Sequence, residues 1–317
     1  MVFNKFNLQV IRGIVTKAAG NLYTVRFDKG EKINCVIKGN LRIKGYKSTN
    51  PVVVGDHVLI DIQPNKELGQ IHEILERKNY IIRKSPNLSK LYHIIAANVD
   101  LAILVVTITE PETSTDFIDR YFVSCEALSI RPVLVINKID LCTGKKEDDL
   151  NKLYEIYCQI GYTCIKVSVK DGYNIDVIKN LIEGKVSVLN GHSGVGKSSI
   201  IKAIAPKFDI KIGEISDYHK MGMHITSYSE MYEILPNAFI IDTPGIKGYG
   251  LIDIQKSELY HFFPEIFQKA SQCKFYNCTH IHEPQCAVIE AVKKGEIALS
   301  RYDSYLNIYF DRNEKYR

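Results

Sequence analysis

The chain has 317 residues, 45% hydrophobic and 24% charged, a composition that fits a globular protein of two or three domains and leaves out disordered and fibrous classes. No apolar run approaches the roughly 18 residues a membrane helix requires, and residues 1–14 are too polar for a secretory signal, so a cytoplasmic protein with no membrane association is expected. The net charge is +5, but residues 1–47 hold ten Lys/Arg against only Asp28 and Glu31, a basic front end that suits a polyanionic partner such as nucleic acid.

Period-two alternation broken by turn residues predicts strands over residues 10–17, 21–27, 32–38, 56–61 and 70–75. Five short strands in this length suit a small closed barrel, with an OB-fold or an SH3-like barrel both fitting the pattern. Residues 77–90 are polar, contain Ser85-Pro86-Asn87 and read as a linker. The pattern then changes. Residues 100–107 are continuously apolar, as a strand buried on both faces is. Residues 116–128 place Phe117, Tyr121, Phe122, Cys125 and Leu128 at helical spacing. Strands over 133–136, 164–167, 186–189 and 239–241 alternate with helices over 146–160, 175–182 and a segment ended by Pro206. Such alternation means a mainly parallel sheet covered by helices, whose ligands sit at the carboxyl ends of the strands. Beyond about residue 250 the pattern is helical and cysteine-bearing. The expected organisation is an all-β barrel over 1–76, an α/β domain over 77–250 and a mainly helical domain over 251–317.

The chemistry concentrates at three of those carboxyl ends. Gly191-His192-Ser193-Gly194-Val195-Gly196-Lys197-Ser198, followed by Ser199, fits the phosphate-binding loop G-x-x-x-x-G-K-S, with a strand before it and a helix after it. Its glycines let backbone N–H groups turn toward a phosphate, Lys197 supplies a point charge, Ser198 can ligate Mg²⁺, and the helix N-terminus faces the same anion. Asn137-Lys138-Ile139-Asp140 follows the strand 133–136. A carboxylate at Asp140 accepts from N1–H and the 2-amino group of guanine, a pair adenine lacks. Asp242-Thr243-Pro244-Gly245 follows the strand 239–241, with Asp242 suited to Mg²⁺ and the Gly245 N–H to the γ-phosphate. Ser168, after the strand 164–167, is a further candidate beside the guanine. Together these residues predict a GTP/GDP site whose chemistry is hydrolysis. Their order, N-K-x-D before the phosphate loop and D-T-P-G last, resembles that of circularly permuted GTPases.

Eight cysteines in such a chain argue for thiols and metal ligands instead of a disulfide framework. Cys273, Cys278, His280 and Cys286 fall within fourteen residues, a Cys₃His set suited to one tetrahedral structural Zn²⁺. His282 is a substitute ligand and His261 a distant one. Cys35, Cys125, Cys142, Cys158 and Cys164 follow strand or helix patterns and read as packing residues.

With a barrel, a permuted GTPase and a Cys₃His set in this order, the whole chain resembles the RsgA (YjeQ/YloQ) family of small-ribosomal-subunit-dependent GTPases. The most specific points of resemblance are G-x-x-x-x-G-K-S downstream of N-K-x-D and the run Cys273-Lys-Phe-Tyr-Asn-Cys278-Thr-His280-Ile-His-Glu-Pro-Gln-Cys286. The resemblance implies an N-terminal OB-fold, a zinc-bearing C-terminal domain, and a role in late maturation of the small ribosomal subunit; contacts with that subunit and its rRNA, and a monomeric state, are expected. The family's first switch reads close to G-x-H-T-T-T, and here it is Gly222-Met223-His224-Ile225-Thr226-Ser227. Thr226 takes the γ-phosphate and Mg²⁺ role, with Ser227 as its alternative. Ile246 stands where Ras-like enzymes place a water-orienting Gln, so His224 is the candidate to orient water, or else a support for the loop. Two further readings stay open: a permuted GTPase acting on the large subunit, and an RNA-binding module with nucleotide as a stabiliser only.

Overall fold

The computed structural model describes residues 9–27, 30–38, 51–62, 68–84, 92–208, 229–242 and 254–310. The chain sorts into two compact units, one of Met1–Asp100, Ile182–Val188 and Phe208–Ile246, the other of Leu101–Leu181, Leu189–Lys207 and Lys247–Arg317.

The first unit opens with β1 (Gln9–Ala19), β2 (Leu22–Arg26), β3 (Lys32–Ile37), β4 (His57–Ile62) and β5 (Leu68–Ile74). Antiparallel pairs join β1 to β2, β2 to β3, β4 to β5 and β1 to β4, while β3 and β5 run parallel. The ring therefore closes in the order β1-β2-β3-β5-β4-β1, an OB-like barrel. Alternation does the sorting: Val15, Tyr23, Val25, Cys35, Val58, Ile60 and Ile71 point inward and are at most 3% exposed. Each large apolar side chain buried this way contributes about 1.5–3 kcal/mol.

The linker expected at 77–90 is a correction. β6 (Tyr80–Lys84) pairs antiparallel with β7 (Tyr92–Ala97). The polar residues ahead of β6 are consumed by specific partners. Arg77 forks the Asp56 carboxylate at 2.6 and 2.7 Å and reaches the Pro51 carbonyl at 2.9 Å. Asn79 bonds both the N–H and C=O of Val99 at 2.8 Å. The unit also holds β12 (Glu230–Leu235), β13 (Ala238–Asp242) and residues 186–188 of β11 (Val186–Asn190). β11 and β13 are parallel, so their carboxyl ends share one edge. β12, unread in the sequence, hairpins onto β13 and meets β1 at Lys17. Three of the five described cations of residues 1–47 meet acids here: Lys17 with Glu230, Arg26 with Glu233 and Lys38 with Asp61.

In the second unit β8 (Leu101–Val106), β9 (Arg131–Ile136) and β10 (Thr163–Lys166) are parallel. All six residues of β8 are buried, as its unbroken apolar run requires. The helices are α1 (Thr115–Ala127), α2 (Lys145–Ile160), α3 (Ile175–Ile182), α4 (Lys197–Ile204), α5 (Pro264–Ala270), α6 (Ala287–Lys293) and α7 (Leu299–Tyr309). The Ser114 hydroxyl caps α1 by accepting from the Phe117 N–H at 3.3 Å. Gly161, at φ 103°, ends α2 in the left-handed conformation that glycine adopts freely. The C-terminal helices surround Leu259, Phe263, Ile266, Val288, Ile297 and Tyr305, and Val123 of α1 belongs to the same core.

Candidate functional site

The loop after β11 is shaped by positions where only hydrogen fits. Gly191, Gly194 and Gly196 have φ of 142°, 88° and 97°. A Cβ on Gly191 would lie 2.2 Å from the Val105 carbonyl oxygen, and one on Gly196 would lie 2.3 Å from the Asn137 amide nitrogen. Lys197 opens α4 and arcs back, its ammonium 2.8 Å from the carbonyl oxygens of Gly191 and His192. Val195 is fully buried under the loop. Such a cradle, with backbone at its walls and a cation above it, is suited to an anion. The His192 imidazole lies flat against Phe117, with ring centroids 4.1 Å apart. Burial, followed by the Lys197 charge, lowers its pKa and favours the neutral ring.

The loop after β9 is tied directly to this cradle. Asn137, 2% exposed, donates from Nδ2 to the Val195 carbonyl at 2.9 Å. Lys138 takes a left-handed φ of 60° and donates to the Glu110 carbonyl at 2.6 Å. Asp140 sits in a one-turn 3-10 helix (Ile139–Leu141), and one of its carboxylate oxygens is 2.9 Å from the Ser168 hydroxyl. That hydroxyl also lies 2.9 Å from the Asp171 carboxylate and accepts from the Asp171 N–H at 3.2 Å. Ser168 thus stands between two carboxylates with a single proton to donate to either, a contact its position in the sequence did not reveal. Asp171 was missed altogether, because nothing in its spacing marks it. Asp242 is the last residue of β13, in register with Glu230. His224, Thr226 and Gly245 lie outside the described residues, as do Ser227 and Ile246.

Cys273, Cys278, His280 and Cys286 converge, their ligand atoms all within 4.8 Å of one another. Among the described residues they form the only such group, and neither His261 nor His282 joins it. The Cys273 and Cys286 sulfurs are 3.8 Å apart, and each is 3.5 Å from the His280 Nδ1. Ligand bonds of about 2.3 Å to sulfur and 2.0–2.1 Å to nitrogen at tetrahedral angles require separations of about 3.8 and 3.5 Å. The four residues thus fit a tetrahedral metal ion, while the sulfur spacing is far beyond the ~2.05 Å of a disulfide.

Burial pushes the Cys278 thiol up to about 12 and raises Cys286, a cost that a divalent cation would reverse. The connecting loop is held from inside. Glu283 accepts from the N–H groups of Thr279, Ile281 and His282 at 2.8, 3.0 and 3.2 Å, and from the Thr279 hydroxyl. Burial raises its pKa, but these bonds outweigh that and hold it at about 2. Its stabilising effect is therefore full above pH 4.5 and fades only as pH falls toward 2. Tyr302 and Tyr305 bond the carbonyls of His280 and Thr279 at 2.7 Å.

Known proteins resemble this chain over nearly its whole length. Residues 74–252 match the family described as RsgA GTPase, and residues 12–71 match the RsgA N-terminal domain. A protein of Bacteroides thetaiotaomicron named small ribosomal subunit biogenesis GTPase RsgA 2 is 52% identical over 97% of this chain and 99% of its own length. This chain belongs to the RsgA GTPase family. A Phocaeicola vulgatus member, named small ribosomal subunit biogenesis GTPase RsgA, is 50% identical over the same shares of the two chains. The crystal structure of YjeQ from Thermotoga maritima superposes with a TM-score of 0.79 at 36% identity, covering 96% of this chain and 98% of that one. A structure described as YloQ, a circularly permuted GTPase, gives a TM-score of 0.77 at 32% identity with full coverage of both. The permuted order read from the motifs is thus the family's architecture.

Proposed function

We propose that this protein hydrolyses GTP in the late maturation of the small ribosomal subunit, and that the subunit stimulates the hydrolysis. The observation that carries the reading is the 2.9 Å bond from Asn137 to the Val195 carbonyl, which joins the guanine-type loop and the phosphate-type loop into one floor. Relatives about 50% identical over the whole chain carry a name in which GTPase and small subunit appear together, which supports the partner.

In this reading the loop Gly191, His192, Ser193, Gly194, Val195, Gly196 and the following Lys197, Ser198 and Ser199 hold the phosphates. Asn137, Lys138, Asp140 and Ser168 hold guanine. Ser198, Thr226 and Asp242 hold Mg²⁺, which when bound neutralises charge developing on the phosphates. Gly245 meets the γ-phosphate, and His224 orients the attacking water. Cys273, Cys278, His280 and Cys286 hold one structural Zn²⁺, whose four protein ligands leave no open position for chemistry. The barrel's basic surface, without Arg26, contacts rRNA. The protein works as a cytoplasmic monomer. Among the described residues no helix is long and apolar enough to cross a membrane.

Asp140→Asn tests the guanine assignment. The amide donates where the carboxylate accepted, so GTP binding should weaken by roughly 10- to 100-fold and xanthine nucleotides should gain. Competition binding with GTP and XTP reads this, and unchanged GTP preference would remove Asp140 from base recognition. The partner assignment is tested by GTP turnover with small subunits, large subunits or neither.

A further inference from the structure

Helix α1 is buried on nearly all sides: Phe117, Ile118, Asp119, Tyr121, Phe122, Val123, Ser124 and Cys125 are covered. Residues two apart project about 200° apart around a helix, and Phe117 and Asp119 meet different neighbours accordingly. Phe117 stacks on His192 at 4.1 Å and 29°. Asp119, with no exposed surface, accepts from Arg301 Nη1 at 2.6 Å and from the Tyr157 hydroxyl at 2.5 Å. Arg301 of α7 is 1% exposed. It turns Nε and Nη2 to the Glu265 carboxylate of α5 at 2.6 and 3.2 Å, and its guanidinium faces the rings of Phe263 and Tyr157 at 4.7 and 5.6 Å.

Asp119, Tyr157, Glu265 and Arg301 are not among the residues assigned to the nucleotide or metal sites. A buried ionic cluster is a poor stabiliser, since apolar residues of the same volume are often as good or better. What it supplies is geometry. A guanidinium fork held to two carboxylates on two helices permits one arrangement, whereas apolar packing tolerates substitution and repacking.

We propose that Arg301 is a positioning residue for the phosphate loop. By holding Asp119 it fixes the rotation of α1, and Phe117 on the other side of that helix holds His192 and the turn 191–196. The inference rests on the reading of that turn as the phosphate site.

The test uses the full chain and measures GDP affinity together with the proton resonances of the His192 ring, which the stacked Phe117 ring displaces. The variants are Phe117→Leu, the pair Asp119→Asn with Arg301→Gln, all three changes together, and Lys197→Ala. The pair removes the Asp119 and Arg301 charges together, keeps hydrogen-bonding atoms at both positions, and leaves the Glu265 carboxylate facing the amide introduced at position 301. Phe117→Leu and the pair should each weaken GDP binding by about 10-fold, less than the roughly 10²-fold rate loss that a 1 Å misplacement of reacting groups can cause. The combined variant should be no weaker than the worse of the two, because both act through one helix. The pair should also move the His192 resonances toward those of an unstacked imidazole. Unchanged affinity and unchanged resonances in the pair would overturn the proposal, as would losses that simply multiply. If the pair does not fold, Phe117→Leu decides alone: full GDP affinity there overturns it. Full GDP affinity in Lys197→Ala would instead remove the phosphate-site reading beneath it.

Discussion

Replacing Lys197 by alanine should reduce GTP turnover by at least about a hundredfold, the loss seen when one preorganised charge-stabilising donor is removed. The lysine stands at the first residue of α4 with its ammonium 2.8 Å from two carbonyl oxygens of the loop before it. From there its charge lies against the turn 191–196, where the proposed reaction develops negative charge on the transferring phosphoryl group. Each of those bonds has a charged donor and contributes about 1.5–3 kcal/mol, so the fold should lose a few kcal/mol and no more. Steady-state phosphate release and a thermal melt separate the two effects. A folded variant that turns over GTP at the parent's rate would take Lys197 out of the reaction.

Removing the metal should unfold the C-terminal helices. A structural tetrahedral ion contributes about 10–16 kcal/mol of apparent folding free energy in small metal-dependent domains. That exceeds much of the ~5–15 kcal/mol by which a whole domain is stable, so the region should lose its fold and not merely loosen. The consequence should reach further than the four ligands. Val123 of α1 packs in the same core as Cys278 and Cys286, and Arg301 of α7 is the partner of buried Asp119. Loss of the ion, by a strong chelator or by Cys286→Ser, should therefore expose α1 to hydrogen exchange along with 254–310. Metal analysis of protein purified without chelator should find about one zinc per chain. Zinc-free protein with the helices intact would contradict this account.

What the sequence revealed and what it concealed follow from the range of each interaction. The nucleotide loops were legible because each is a contiguous string whose backbone does the work. Gly191 and Gly196 show the reason: a side chain at either would collide with backbone or with Asn137 within 2.3 Å. The metal set was legible for the same reason, with four ligands in fourteen residues. The barrel's strands were visible through alternation, but its closure depends on β1 meeting β4 some forty residues later, which no local pattern records. The hairpin β6–β7 was hidden because Arg77 and Asn79 look like linker residues until Asp56 and Val99 are placed beside them. Asn137 was expected only at the base, and its bond to Val195 spans 58 residues. Arg301 and Asp119, 182 residues apart, could not be paired by inspection. The charge count over 1–47 overstated the surface available to RNA, since Arg26 lies mostly buried against Glu233 and the Phe239 ring.

In the proposed function the GTPase site and docking on the small subunit act together. The most direct measurement is GTP turnover by the purified chain with small ribosomal subunits, with large subunits, and alone, at two or more salt concentrations. Turnover alone should be slow, because Ile246 cannot orient water as a Gln would. Small subunits should raise it and large subunits should not. The stimulation should weaken steeply with salt, as expected when lysines and arginines displace counterions from RNA. Equal stimulation by large subunits or by free RNA, or none by small subunits, would contradict the account.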